Sequence, residues 1–373
     1  MTPAPSSDVA LIQTTIPDYR TAFFEALSYA VGPRFVLLSG DEDWYRDLRH
    51  AGRVPHVRTK NVFLARRQLL WQRGAVRPLL TAQVAVVGLN PRIVTSWVVL
   101  IARRLMRRRT VVWGHAWSRR GSASPTDRLR GAMRRLGSTV IVYTETEARQ
   151  VRTASPKLDV VAAPNALYPR KELLRPLDDE QATDFVFVGR LNSSKKPGLL
   201  LDAFLAARPK LPSDVRLVFV GDGPEREGLE ATAGAELGSR VRFAGHLSEV
   251  ADLRGIYAHA IASVSPGAAG LSLTQSLGFG IPMILAREEP HGPELEAAAE
   301  PDNVVFFSRD STAALATALV DVAADRENWR SRRSAISAPI ADRYCVEAMV
   351  ASFMGGLGLE RRPSDRITEI AVP

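Results

Sequence analysis

The chain has 373 residues, 46% of them hydrophobic and 24% charged, with 26 Gly and 24 Pro, which is too apolar for a disordered segment and too mixed for a fibre. At about 100 to 200 residues per domain this length predicts two domains, and a single cysteine, Cys345, excludes an intramolecular disulfide framework and a cysteine-built metal site. The formal net charge is +9, and lysine occurs only at positions 60, 157, 171, 195, 196 and 210, so arginine carries the excess.

The first residues show no basic region ahead of an apolar run, so no secretory signal is expected. The apolar run from Trp97 to Ala102 stops at Arg103, short of the roughly 20 residues that a membrane span needs. The expected location is cytoplasmic, with any membrane contact peripheral. In chain order, the first half predicts strands at 9–15, 34–39, 83–88, 110–113, 139–144 and 158–163, alternating with helices near 19–31, 91–109, 124–136 and 145–153. The second half repeats the rhythm with strands at 185–188, 215–220, 241–244, 260–264, 282–285 and 303–307, followed by three helical stretches, the last over 341–357. Short β-rich runs alternating with helices predict an α/β fold with parallel sheets, here two doubly wound units. The domains expected are 1–165 and 184–340, joined by a proline-bearing linker at 166–183 and followed by a helix and polar tail at 341–373.

Chemistry concentrates in the second half. FVFVGRLNSSKKPGLLLDAF is a buried strand ending in Gly189-Arg190, a polar loop with Lys195 and Lys196, and a helix opened by Pro197. A strand running into a basic loop at a helix start is where an open α/β sheet holds phosphates. Arg190 offers a bidentate fork and Lys195 a point charge; a solvated loop is the alternative. The next strand ends in Gly221-Asp222-Gly223-Pro224, a βα turn or a ligand loop. In SPGAAGLSLTQSLGFGIPMIL a small-residue loop opens a helix whose first amides, about Gly270 to Leu273, suit an anion, with Gln275 one turn further in.

These segments in this order resemble the C-terminal half of glycosyltransferase family 4, retaining enzymes of the GT-B fold. TTIPDYRTAFFEAL resembles the opening of that family's acceptor domain, and TVVWGHAW sets His115 where members carry an active-site histidine. The resemblance implies two Rossmann-like domains facing across a cleft, with the C-terminal helix crossing back to the first domain. It implies a hexosyl-type transferase that takes a sugar from a nucleotide diphosphate-sugar and retains the anomeric configuration, with no metal and no other cofactor. Donor binding would fall to Gly189, Arg190, Lys195, Gly223, Gly270, Leu271, Ser272 and Gln275, and catalysis to His115, Arg190 and Lys195. Gly267 and Asn165 would line the sugar end of the cleft. The acceptor is a glycan, a lipid-linked sugar or a small molecule.

Two departures matter. Many members carry paired glutamates where this chain has Gly267 and Gln275, which opens a rival reading as a noncatalytic, nucleotide-sugar-binding partner subunit. The first loop has Thr15-Ile16-Pro17 in place of a glycine pair. Elsewhere, Asp41-Glu42-Asp43 reads as a surface helix start rather than a metal-diphosphate site, and His50, His56, His246, His259 and His291 show no metal-ligand spacing. The segment 101–136 holds eleven arginines and one acid, Asp127, behind a stripe of Ile93, Trp97, Ile101 and Leu105. That pattern suits either an anionic membrane surface or a packed helix with dipole-favoured arginines. Nucleic acid is not expected, since no aromatic-rich binding motif accompanies the charge.

Overall fold

The computed structural model describes residues 8–44, 54–118, 125–177 and 180–359; His50, Arg119, Arg120 and the tail from Glu360 lie outside them. The chain divides into two units: unit 1 runs to Tyr168 and resumes at Val346, and unit 2 is Pro169–Cys345. In unit 1 the strands are β1 (Val9–Gln13), β2 (Phe35–Ser39), β3 (Val57–Arg58), β4 (Lys60–Leu64), β5 (Leu69–Arg73), β6 (Val84–Gly88), β7 (Thr110–Trp113), β8 (Thr139–Val142) and β9 (Asp159–Ala162). Its helices are α1 (Thr21–Val31), α2 (Val76–Thr81), α3 (Val94–Leu105), α4 (Pro125–Leu136) and α5 (Glu145–Ala154). Unit 2 contains α6 (Arg170–Leu174), β10 (Asp184–Val188), α7 (Pro197–Ala207), β11 (Arg216–Val220), α8 (Arg226–Glu236), β12 (Val241–Gly245), α9 (Val250–Ala258) and β13 (Ala260–Ser265). It continues with α10 (Leu271–Gly278), β14 (Met283–Ala286), β15 (Val304–Phe307), α11 (Thr312–Ala324), α12 (Arg326–Ser331) and α13 (Arg333–Arg343). The last helix, α14 (Val346–Leu357), belongs to unit 1.

Each unit is built on a parallel sheet, ordered β3-β2-β1-β6-β7-β8-β9 in unit 1 and β12-β11-β10-β13-β14-β15 in unit 2. The strands are near-continuous aliphatic runs because helices cover both faces. Period-two alternation splits unit 1's core. Val9, Leu11, Val86, Val111 and Trp113 face α1 and α14 with Phe23, Phe24 and Phe353, while Ala10, Ile12, Val87 and Val112 face the other way with Leu79, Val99, Leu100 and Met133.

Several expectations change. The helix expected over 341–357 is two helices: α13 ends at Arg343, and Val346 begins α14 with its N–H bonded to the Tyr168 carbonyl at 3.0 Å. The segment read as a linker contains α6, whose Leu173 is buried. A hairpin, β4–β5, was not expected at all; its tip, Ala65, Arg66 and Arg67, takes positive φ without a glycine. Asp41–Asp43 lie in the loop that braces this hairpin: Glu42 pairs with Arg67 at 2.6 Å, and Asp43 accepts from the Thr14 hydroxyl.

Part of the arginine-rich stretch is internal fastening. Arg103 is 0% exposed and donates to the carbonyls of Leu79, Leu80, Ala82, Gln83 and Arg109 and to the Thr110 hydroxyl. Burial, with the like charge of Arg108, pulls its pKa down to about 10. Arg108 binds the Leu80 and Thr81 carbonyls, and Arg130 those of Leu89 and His115. The outward face of α3 keeps Ile101 at 49% and Leu105 at 80% exposure, so the expected stripe is not uniformly exposed: Ile93 is buried and Trp97 packs against the core, while Ile101 and Leu105 are open.

Candidate active site

In unit 2 the strand order reverses between β10 and β13. Loops leaving the carboxyl ends of strands on either side of such a reversal diverge, and that crevice is where open α/β sheets bind ligands. The loop after β10 carries Gly189, Arg190 and Lys195; the loop after β13 carries Gly267 and leads through Gly270 into α10. Glycine permits their close packing. A Cβ at Gly221 would overlap the Gly189 carbonyl, and one at Gly223 the Leu191 carbonyl. The Gly-Asp-Gly-Pro turn is thus the support of the Gly189–Leu191 loop, tied to it by Leu191 N–H to Asp222 O at 2.9 Å and Glu225 N–H to Leu191 O at 3.0 Å. Arg190 is exposed at the loop's crest.

The adjacent lysines have different tasks. Lys195 donates its ammonium to the Ala268 carbonyl, linking the two loops. Lys196, in the left-handed conformation ahead of α7, is ion-paired with Glu289 and Asp310. Burial works against its charge, but the hydrogen bonds it donates to the two carboxylates prevail and raise its pKa. A Cβ at Gly267 would overlap the Ser194 carbonyl and approach Lys195 Cα to 2.8 Å.

At the start of α10, Leu273 spends its N–H on the Gly270 carbonyl at 2.9 Å, so the amides opening the helix are those of Leu271 and Ser272. Sequence reasoning missed what underlies them. Ala269 donates its N–H to His291 Nδ1 at 3.0 Å and accepts from Gly292 N–H at 2.6 Å, and the buried Glu294 carboxylate packs beside Gly270. No motif spacing marks these residues. Gln275 is 8% exposed and accepts from the Tyr257 hydroxyl at 3.3 Å.

In unit 1 the order reverses between β1 and β6. His115, just past β7, is exposed; its Nδ1 lies 3.5 Å from Glu147 Oε1 and its ring 4.7 Å from that of Tyr143. Glu147 is held by accepting from Ala116 N–H at 3.1 Å and Tyr143 N–H at 3.2 Å. Its own N–H donates to the Thr144 hydroxyl at 2.9 Å, the Ser/Thr-x-x-Glu capping arrangement at a helix start. That Thr-x-x-Glu spacing was legible and went unused. Asn165 accepts from Arg20 Nη2 at 3.0 Å, and Arg20 also reaches the Tyr143 hydroxyl at 3.2 Å and stacks 4.6 Å over Trp113. Arg20 was not singled out because one arginine at a helix start among so many carries no signal. Among the described residues no group of His, Cys, Asp and Glu could hold a metal ion, and no helix is long and apolar enough to cross a membrane.

Residues 182–325 match a family model described as glycosyl transferases group 1. Among solved structures, Anabaena HepE in complex with UDP aligns with a TM-score of 0.69 at 17% identity, over 94% of this chain and 99% of that one. Sucrose-phosphate synthase from Thermosynechococcus elongatus gives 0.63 at 19% identity, over 94% and 98%. The lipopolysaccharide outer core galactosyltransferase WaaB gives 0.63 at 13%, over 94% and 99%. The shared architecture is the GT-B fold. No curated protein matches the chain by sequence.

Proposed function

We propose that this chain, a GT-B glycosyltransferase by the group 1 domain it carries over residues 182–325, moves a hexose from a nucleotide diphosphate-sugar held by unit 2 to an acceptor held by unit 1, with retention of configuration. The observation that carries this reading is the meeting of the Gly189–Lys195 loop with the start of α10 at unit 2's strand reversal. A leaving diphosphate gains negative charge as the sugar departs, so donors fixed before the reaction favour the transition state over the ground state. Arg190 and Lys195 supply charge and the Leu271 and Ser272 amides supply dipoles; in this reading they, rather than a metal, balance the leaving group. Gln275 serves the ribose, Gly189 and Gly223 let the backbone approach the donor, and Gly267 lets the loop at the sugar end pack against Ser194 and Lys195. Glu147 holds the Nδ1 side of His115, so Nε2 is the nitrogen offered to a sugar or acceptor hydroxyl, and Asn165 lines the sugar end. That HepE is solved with UDP and glucose supports a uridine donor as the first to try.

Lys195→Ala is expected to weaken nucleoside diphosphate binding by about 1.5–3 kcal/mol, the worth of a charge-assisted hydrogen bond, with the fold intact. Calorimetry with a panel of nucleotides tests it, and equal affinity for every nucleotide that binds the parent removes Lys195 from the site. The second reading, a noncatalytic donor-binding subunit, is favoured by Gly267, which leaves no side chain to touch the sugar. Donor hydrolysis without acceptor separates the two.

The same reading takes a lipid-linked acceptor from an anionic bilayer at the cytoplasmic side. What supports it is the open face of α3, where Ile101 and Leu105 stand exposed beside the exposed Arg104 and Arg107. Each basic residue near such a surface contributes about 1 kcal/mol. Vesicle binding should therefore fall with salt, with Arg104→Glu plus Arg107→Glu, and with Ile101→Glu plus Leu105→Glu. Cosedimentation indifferent to all three would sink the lipid element alone.

A further inference from the structure

Three arginines of unit 1, Arg103, Arg134 and Arg20, are almost fully buried, and they are not alike. Arg134 binds the Ala116 carbonyl and interacts with the carboxylates of Asp127 and Glu147. Arg103 is surrounded by carbonyl and hydroxyl oxygens that take up its guanidinium donors, so its burial is explained within the protein. Arg20 is 8% exposed, yet among the described residues its side chain meets only neutral partners: the Tyr143 hydroxyl and Asn165 Oδ1, both through Nη2, and the Tyr19 hydroxyl. Its Nε is enclosed and has no partner, and the same holds for Nε1 of Trp113, the ring beneath the guanidinium. A guanidinium has five N–H donors and an indole one, and neither can accept. What this cluster lacks is therefore an acceptor.

It also lacks a counter-charge. Among the described residues no carboxylate pairs with Arg20; its neighbours are the rings of Trp113, Tyr143 and Tyr19 at 4.6, 5.5 and 5.7 Å and the Asn165 amide. Ring faces offset part of the cost of burying a cation, but an enclosed charge without an anion remains expensive. The cluster stands at the carboxyl ends of β1, β7, β8 and β9, since Arg20 follows β1, Trp113 ends β7, Tyr143 follows β8 and Asn165 follows β9. That edge is where open α/β sheets take ligands, and the His115 ring packs tilted against the same Tyr143.

We propose that Arg20 is the anchor of an anion subsite in unit 1, and that the acceptor carries a phosphate or carboxylate group that this subsite reads. The inference rests on the transferase reading in naming the ligand an acceptor; the charge argument stands on unit 1 alone. A neutral sugar would leave the Arg20 charge as it is, whereas an anionic one gains a charge-assisted bond in a low-dielectric setting.

The test is calorimetric titration of the full chain with glycerol 1-phosphate, methyl glucuronide and methyl glucoside. Lys195→Ala and Arg20→Lys are compared with the parent. The expected result is that at least one anionic probe binds and the neutral glucoside does not, that Lys195→Ala leaves this binding in place, and that Arg20→Lys weakens it about ten- to a hundredfold. The two anionic probes tell a phosphate from a carboxylate ligand. Should Arg20→Lys unfold, the parent suffices: the Trp113 indole N–H resonance, assigned with Trp113→Phe, should shift with the anionic probe and stay still with the glucoside. Anion binding lost in Lys195→Ala but kept in Arg20→Lys, no anion binding at all, or a Trp113 signal blind to every probe overturns the proposal and leaves Arg20 satisfied by an enclosed water. Failure of the transferase reading shows separately, as a parent chain that neither binds a nucleoside diphosphate nor hydrolyses any nucleotide sugar.

Discussion

At Gly267 the missing side chain is a packing requirement as much as a change of chemistry. The loop after β13 lies against the backbone of Ser194 and Lys195 so closely that even a methyl group would overlap the Ser194 carbonyl, and backbone cannot swing aside as a side-chain end can. Gly267→Ala should cost about 1–3 kcal/mol, the usual range for overpacking, and should lower nucleotide affinity because Lys195 and Ala268 separate. Denaturant midpoints and titration of the same preparation check both halves. A stable Gly267→Ala variant with parental affinity would mean the two loops move apart freely. Lys195 and Lys196 carry the matching lesson: neighbours in sequence, they differ because only Lys196 meets Glu289 and Asp310, residues more than ninety positions away.

Helix α3 shows the same division at the scale of an element. Its existence follows from an apolar run, and its end from Arg107, which takes the left-handed conformation (φ 54°) just past Leu105. The direction of its arginines does not follow from the run. Arg103 points inward because α2, the 79–83 turn and the chain just before β7 turn a ring of carbonyls toward it, and a guanidinium is the side chain that can serve several at once. Arg103→Met should therefore destabilise unit 1 by about 3 kcal/mol or more, through buried carbonyls left unsatisfied. Arg104→Ala, on the exposed side, should stay within about 0.5 kcal/mol. Chemical denaturation of the two variants side by side is the measurement, and equal effects would refute the internal role of Arg103. The hairpin β4–β5 was illegible for a related reason: its tip turns through Ala65, Arg66 and Arg67 at positive φ, where sequence reading looks for glycine or asparagine. Arg67, anchored on Glu42 and over the Phe63 ring at 3.8 Å, holds the turn instead.

For the whole molecule, unit 2 is continuous in sequence and unit 1 is not. Unit 1 is completed by α14, whose Val346, Met349, Val350, Phe353, Met354 and Leu357 enter the core around Phe23, Phe24 and Trp113. Burying an apolar side chain of this size contributes about 1.5–3 kcal/mol, so the six together rival the 5–15 kcal/mol by which a domain is typically stable. Truncation after Cys345 should abolish the cooperative unfolding of unit 1 while leaving a transition for unit 2, read by differential scanning calorimetry. Two intact transitions after truncation would show that α14 is dispensable.

The alternation of aliphatic strands with helices, the positions of most strands to within a residue or two, and the glycine-bounded loops of unit 2 were determined by local sequence, because strand periodicity, turn chemistry and phosphate-type loops are properties of consecutive residues. The resemblance to family 4 rested on those same local segments, and the family match over residues 182–325 and the GT-B architecture agree with it. Tertiary structure decided what depends on residues far apart. Examples are the hydrogen bond from Ala116 N–H to Glu147 beneath His115, the support of Ala269 by His291, the enclosure of Arg20 by three strand ends, and the break before α14, whose first N–H bonds to Tyr168. Each is a partner choice across the fold, and hydrogen bonds and buried charges are settled by whichever group the packed chain brings within about 3 Å, which no stretch of consecutive residues specifies.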